Sequence, residues 1–280
     1  MPARTNSSFA RYVTRAEPEI DLAEAALRLA AETYRGLDVA HYLTWLDAQG
    51  ERARERLSPG SSPALVIGEL NRLIFDELGF HANVEQYYDE RNSFLNEVIE
   101  RRTGIPISLS LVYMEIGRRA GLRMEGVGLP GHFVVRVAGA QWQVLLDPFN
   151  RGAELSRHDC EQLLLQTYGS GTPLLPQYLA PVGKRTFLMR LLTNLQVIYM
   201  QEQRWDKALR IIQNAFSLQP ARQAAAELTR ARGLVHYKLD RWGEAELDWV
   251  QYLVSAPDAP DAPLVRENLD SLRTLIARRN

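Results

Sequence analysis

The chain has 280 residues, enough for one large domain or two ordinary ones. Hydrophobic residues make up 46%, charged residues 24% and the formal net charge is −1, which excludes a disordered chain and leaves no strong overall field to select nucleic acid or membrane. Cys160 is the only cysteine, so an intramolecular disulfide and a cysteine-rich zinc centre are excluded.

Residues 1–16 read as a flexible arm, with arginines but no apolar core of a signal peptide. Ile20, Leu22, Ala26, Leu27, Leu29 and Ala30 recur at helical spacing until Gly36. Asp38 caps a second predicted helix that runs to Leu57, and Ser58 to Pro63 read as a loop. A third helix carries Leu65, Ile67, Leu70, Leu73, Ile74 and Leu78 and stops at Gly79. A fourth starts at Asn92 or Ser93 and breaks at Thr103-Gly104. Pro106 suits the first turn of a fifth, because the N–H it lacks has no partner there, and this helix ends near Gly121. The period then changes. Met124–Leu129, Phe133–Val137 and Gln141–Leu146 read as strands, with Gly139-Ala140 in a tight turn. Helices followed by an antiparallel run of strands imply an α+β domain. A helix starting at Ser156 or Asp159 follows, and Gly169 to Pro181 read as a linker. No run of 18 apolar residues occurs, so no membrane span is expected, and a reducing cytoplasm fits the cysteine usage.

The C-terminal part repeats. Trp205 and Trp242, Ala208 and Ala245, and Pro220 and Pro257 each stand 37 residues apart. This resembles the tetratricopeptide (TPR) repeat, a helix–turn–helix unit of about 34 residues with small residues where the helices touch. Tyr199, Ala208, Ala215 and Pro220 fit the first copy, and Gly233, Ala245 and Pro257 the second, where Tyr252 takes the place of a small residue. Leu264 to Ala277 are expected to form a capping helix. The resemblance implies a protein or peptide partner bound by this tail; the bland alternative is a tail that only packs on the rest of the chain.

Between Asn92 and Gly152 the segments GIPISLS, GVGLPGHF and DPFN resemble the transglutaminase-like superfamily, and more closely its SirB-type bacterial branch, which joins such a domain to TPR repeats. The resemblance implies a transglutaminase-like (papain-like) α+β domain with an N-terminal helical block over residues 17–180, then an all-α TPR-like tail over 181–280. Active members of the superfamily use a Cys–His–Asp triad. A thiol at a helix start is activated by the helix dipole, and a histidine held by an aspartate takes its proton. The motifs carry the histidine onto His132 and the aspartate onto Asp147, but the cysteine falls near Pro106, which has no thiol. Cys160 follows the aspartate, in the wrong order for the family, and reads as a buried small residue.

Ser108, near the helix start, is the candidate substitute nucleophile; against it stands a hydroxyl that merely bonds backbone at that start. His132 bonded to Asp147 can equally be a brace between two strands. Glu115 on an otherwise apolar helix reads as a partly buried carboxylate paired with an arginine such as Arg102 or Arg136. Glu115, Asn150, Tyr199 and Trp205 are the candidate binding residues. The GxGxxG match over Gly126–Gly131 is followed by a strand and contains Pro130, so it forms no phosphate cradle and instead allows a close backbone approach before His132. The five histidines lack ligand spacing, and neither a metal nor another cofactor is expected. The leading expectation is a non-catalytic or weakly catalytic regulatory factor that binds a protein through its tail. The alternative is a hydrolase or acyltransferase using Ser108, His132 and Asp147, and a third reading has the old active-site cleft binding a peptide.

Overall fold

The computed structural model describes residues 7–58, 60–169 and 172–279. Residues 1–6 of the expected arm, Pro59 of the first loop and residues 170–171 of the expected linker lie outside these. The chain forms two compact units, Arg15–Leu191, and Met1–Thr14 with Leu192–Asn280. The boundary expected at residue 180 therefore falls eleven residues later, inside a helix.

The expected arm holds a helix, α1 (Ser8–Val13), capped by the Ser7 hydroxyl, which accepts from Ala10 N at 3.0 Å. Phe9, Tyr12 and Val13 at i, i+3 and i+4 supply a buried stripe, and that apolar area offsets the cost of ordering so short a helix.

In the unit from Arg15 to Leu191, α2 (Leu22–Ala31) is capped by Asp21 and α3 (Val39–Glu55) by Asp38, whose carboxylate accepts from His41 N at 3.2 Å. α4 (Pro63–Asn71) is capped by Ser62 and widens into a π-helical turn over Arg72–Glu77 before Gly79, at φ +76°, ends it. The strand β1 (His81–Ala82) follows. α5 (Leu95–Arg101) ends at Arg102, which takes the left-handed conformation with its guanidinium 4.6 Å from the centre of the Trp45 ring. Thr103-Gly104 is thus more than a break: it forms β2 (Thr103–Gly104), parallel to β1.

α6 (Pro106–Arg119) is the centre of the domain. Every residue from Pro106 to Gly117 is buried, as a helix covered on all sides requires. Its C-terminal turn crosses α3 so closely that a Cβ on Gly50 would stand 2.1 Å from Arg119 Cβ. Four antiparallel strands follow as a meander, β3 (Arg123–Val127), β4 (Val134–Ala138), β5 (Gln143–Asp147) and β6 (Ala153–Leu155), in that spatial order. The second strand begins at Val134, not Phe133, and β6 was not expected; it is three residues long and follows a turn in which Arg151 and Gly152 are both left-handed. In α7 (Arg157–Tyr168) the choice of cap falls to Ser156, with Asp159 reciprocating as a capping box at 3.2 and 2.8 Å. The described part of the expected linker packs: Leu174 is buried with Val127, Leu129, Val134, Cys160 and Leu164, and Val182 N donates to Gly126 O at 2.9 Å. α8 (Lys184–Gln201) follows.

Glu115 corrects an expectation. It is fully buried rather than partly so, and its partners are Arg118 Nη2 at 3.0 Å and Arg119 Nη1, one turn along its own helix. Arg102 and Arg136 are engaged elsewhere, Arg136 with Glu125 at 3.4 Å. Helical spacing favours neighbours at i+3 and i+4, and these arginines reach outward to Asp21 and Asp47.

In the other unit α1 packs on α9 (Trp205–Ser217), which continues through α10 (Arg222–Lys238), α11 (Trp242–Ser255) and α12 (Ala262–Arg279). The 37-residue spacing extends to the backbone. Gln203 and Asp240 are both left-handed at φ +56° and +55°, and Arg204 N→Tyr199 O (2.8 Å) repeats as Arg241 N→His236 O (2.9 Å). Ala208 and Ala245 are fully buried where the helices meet, as the repeat requires. Tyr252 is accommodated because its ring joins the core formed by Ala226, Trp249, Val265, Leu269 and Leu272 while its hydroxyl bonds Asp261. α10 and α11 are also joined by a buried ion pair: Arg232 grips Asp248 with contacts of 2.6, 3.0 and 3.2 Å, and His236 Nδ1 meets the same carboxylate at 2.9 Å.

Candidate functional site

The strand register makes the site. β4 and β5 pair with Val135 opposite Leu146, so the residues just before β4 and at the end of β5 lie at the same end of the sheet. His132 precedes β4 and Asp147 ends β5, and His132 Nε2 meets Asp147 Oδ2 at 2.9 Å. Both side chains are largely enclosed, at 12% and 5% exposure. The other carboxylate oxygen accepts from Phe149 N at 3.0 Å, and Gly152 N donates to Asp147 O at 2.8 Å, so the DPFNRG turn holds the aspartate in place. The Phe149 ring packs edge-on to the imidazole at 6.1 Å and meets Tyr87 at 6.4 Å. Burial pushes the Tyr87 hydroxyl above its ordinary range.

The third position of the expected triad is different. Ser108 is buried in the first turn of α6; its hydroxyl accepts from Ile105 N at 3.0 Å and donates to Ile105 O at 3.2 Å. It lies against Gly104, where a Cβ would stand 2.6 Å from Oγ. The structure therefore brings His132 and Asp147 together and commits Ser108 to backbone, the role that a serine at a helix start plays to fix the entry of the chain. Ser110 Oγ donates to Phe133 O at 3.3 Å and ties α6 to the strand that follows the histidine. Cys160 is fully buried on the apolar side of α7, and burial pushes its thiol up, away from the thiolate that a nucleophile needs.

Of the remaining candidates, Asn150 is exposed in the turn after Asp147. Tyr199 is 1% exposed and stacks beneath Arg204 and Lys207 at 4.8 and 5.3 Å. Trp205 is half-buried with Lys238 Nζ 6.0 Å from its ring centre. The tail does have a groove, of about 510 Å³, between the start of α10, the end of α11 and the segment before α12; Arg222, Glu227, Arg230, Tyr252 and Asp261 are among its lining residues. Sequence reasoning passed over Arg190, whose guanidinium holds the backbone of the histidine loop; an arginine set in the apolar run Phe187 to Leu192 was the available signal. Among the described residues no group of three or more His, Cys, Asp or Glu side chains is placed to hold a metal ion, and no helix is long and apolar enough to cross a membrane.

The transglutaminase-like superfamily model matches residues 40–193 and a tetratricopeptide-repeat model matches residues 195–270. A UPF0162 protein of Xylella fastidiosa (strain 9a5c) is 35% identical over 256 residues, covering 90% of either chain, and one from Pseudomonas aeruginosa is 34% identical over 220 residues, 78% of either. Human F-box only protein 21 is 32% identical over 151 residues, 51% of this chain but 24% of that protein. No solved structure matches significantly. With the superfamily match spanning more than half its length, the chain belongs to the transglutaminase-like superfamily, with TPR repeats behind that domain, and it is similar to UPF0162 proteins over most of its length.

Proposed function

We propose that this is a regulatory factor of the SirB-type branch, working in the cytoplasm, whose transglutaminase-like domain is non-catalytic and whose TPR tail binds a protein or peptide. The observation that carries the reading is the start of α6. Where active relatives place a thiol, this chain has Pro106, Ile107 and a serine whose hydroxyl is locked to Ile105. His132 meets Asp147 through Nε2, which leaves Nδ1 as the ring's other nitrogen. Held in this way the pair is a brace that satisfies two enclosed polar groups at the open end of β4 and β5. A serine-dependent hydrolase would need Ser108 to release both bonds to Ile105 and turn toward the ring.

The tail's groove presents Arg222 and Arg230, a residue type enriched where proteins bind. Full-length protein is expected to capture its partner from extracts of its native host equally well with His132→Ala. The double variant Arg222→Glu/Arg230→Glu is expected to weaken capture at least roughly tenfold, as loss of one binding hot spot does. Capture that falls with His132→Ala and survives the groove variant would contradict this reading.

A further inference from the structure

The loop that delivers His132 is wrapped round an arginine from a distant part of the chain. Arg190 Nη2 donates to Leu129 O and to His132 O, each at 2.9 Å. These two carbonyls bracket a tight turn that His132 N closes on Leu129 O at 3.1 Å and in which Gly131 is left-handed at φ +71°. One nitrogen thus holds both ends of the turn. The other terminal nitrogen occupies the space a side chain at Gly128 would fill, since a Cβ there would stand 2.5 Å from Nη1. The Phe133 ring lies 5.2 Å from the guanidinium carbon. Among the described residues no carboxylate pairs with Arg190, so this enclosed cation is not held by an ion pair. Burying an arginine without an acid is costly, and the compensation visible here is the pair of carbonyls.

We propose that Arg190 is the positioning residue of the His132–Asp147 pair: its guanidinium, seated in the space left open by Gly128, clamps the 129–132 turn and so points the imidazole at the carboxylate. This also accounts for the GVGLPGH segment. Gly131 supplies the left-handed turn and Gly128 the seat for the arginine, where the same spacing in a dinucleotide fold would serve a phosphate. The inference deepens the reading of His132–Asp147 as a maintained pair and holds whether that pair braces or reacts.

The test is ¹⁵N NMR of full-length protein labelled in its histidines, with the His132 signals assigned by their absence in His132→Ala. The wild-type protein is expected to show a protonated Nε2 with slow solvent exchange, bonded to Asp147. Arg190→Met keeps the apolar stem and removes the donors; it is expected to speed exchange of that proton by about tenfold or more and to shift both ring nitrogens, because the turn loses two hydrogen bonds. Arg190→Lys, which retains donors, is expected to recover part of the protection. Should Arg190→Met fail to fold, Gly128→Ala leaves the charge in place but pushes Nη1 from its seat, and is expected to give the same loss. Unchanged His132 exchange and shifts in a folded Arg190→Met or Gly128→Ala protein would overturn the proposal. The readout does not depend on partner capture, so it can fail while the binding role of the tail stands, and the reverse.

Discussion

Asp248→Ala is expected to unfold the α10–α11 pair locally, at a cost of about 3–5 kcal/mol, the range found when one partner of a buried ion pair is removed. Asp248 is 6% exposed and takes contacts from both Arg232 and His236, so alanine would leave a guanidinium with no charge opposite it in the tail's interior. Local hydrogen exchange followed by mass spectrometry reads this directly: amides of Arg222–Lys238 and Trp242–Ser255 should exchange far faster while those of Pro106–Arg119 do not change. The effect has a defined pH dependence. Burial alone would push the Asp248 carboxyl up, but the bonds from His236 and Arg232 outweigh it and hold the group below the usual carboxylate range. A carboxyl depressed by folding contributes its stability above the unfolded value, about 3.9, and loses it as pH falls through the folded value. The gap between wild type and variant should therefore close as pH falls below about 4. A variant with unaltered exchange in α10 and α11 would show that the pair is not what joins them.

The second large effect is at the site. Gly152 is left-handed at φ +70°, and a Cβ there would stand 2.0 Å from Asn71 Oδ1. Asn71 has little room to yield, because its amide donates to Gly152 O at 3.1 Å and its carbonyl accepts from the buried Tyr113 hydroxyl at 3.0 Å. Gly152→Ala should cost about 1–2 kcal/mol for the backbone and about 1–3 kcal/mol for the overlap. Because Gly152 N also bonds Asp147 O, the loss should be accompanied by a changed His132 imidazole signal, whereas Gly121→Ala, left-handed with open space around it, should carry the backbone cost alone. Equal destabilisation in the two variants, measured by denaturant unfolding, would show that the contact with Asn71 is unimportant.

What could be read from the sequence follows from what local pattern encodes. Pro106 marked the start of the central helix and Gly121 its end because both act through their own backbone. His132 and Asp147 were legible as a pair through the motifs that resemble the transglutaminase-like superfamily, and the β4–β5 register brings them to the same end of the sheet. The 37-residue repeat was legible through Trp205/Trp242, Ala208/Ala245 and Pro220/Pro257, and the structure repeats the same left-handed step at Gln203 and Asp240. Other features depend on residues far apart. Arg190 meets the His132 loop from 58 positions away, and nothing in the loop's own sequence names its partner. Glu115 was assigned the wrong arginines because the reading looked across the fold, when its partners lay on the next turn of its own helix. The helix at Ser8–Val13 went unseen because six residues give too short a periodicity, although Phe9, Tyr12 and Val13 stand on one face.

The role of the α6 start is tested most directly by exposing the folded, full-length protein to a fluorophosphonate and, separately, to iodoacetamide, and reading the intact mass. The arrangement predicts an unmodified chain, with Ser108 held by Ile105 and Cys160 buried. A single stoichiometric adduct on Ser108, lost in His132→Ala, would contradict it and make the protein an enzyme.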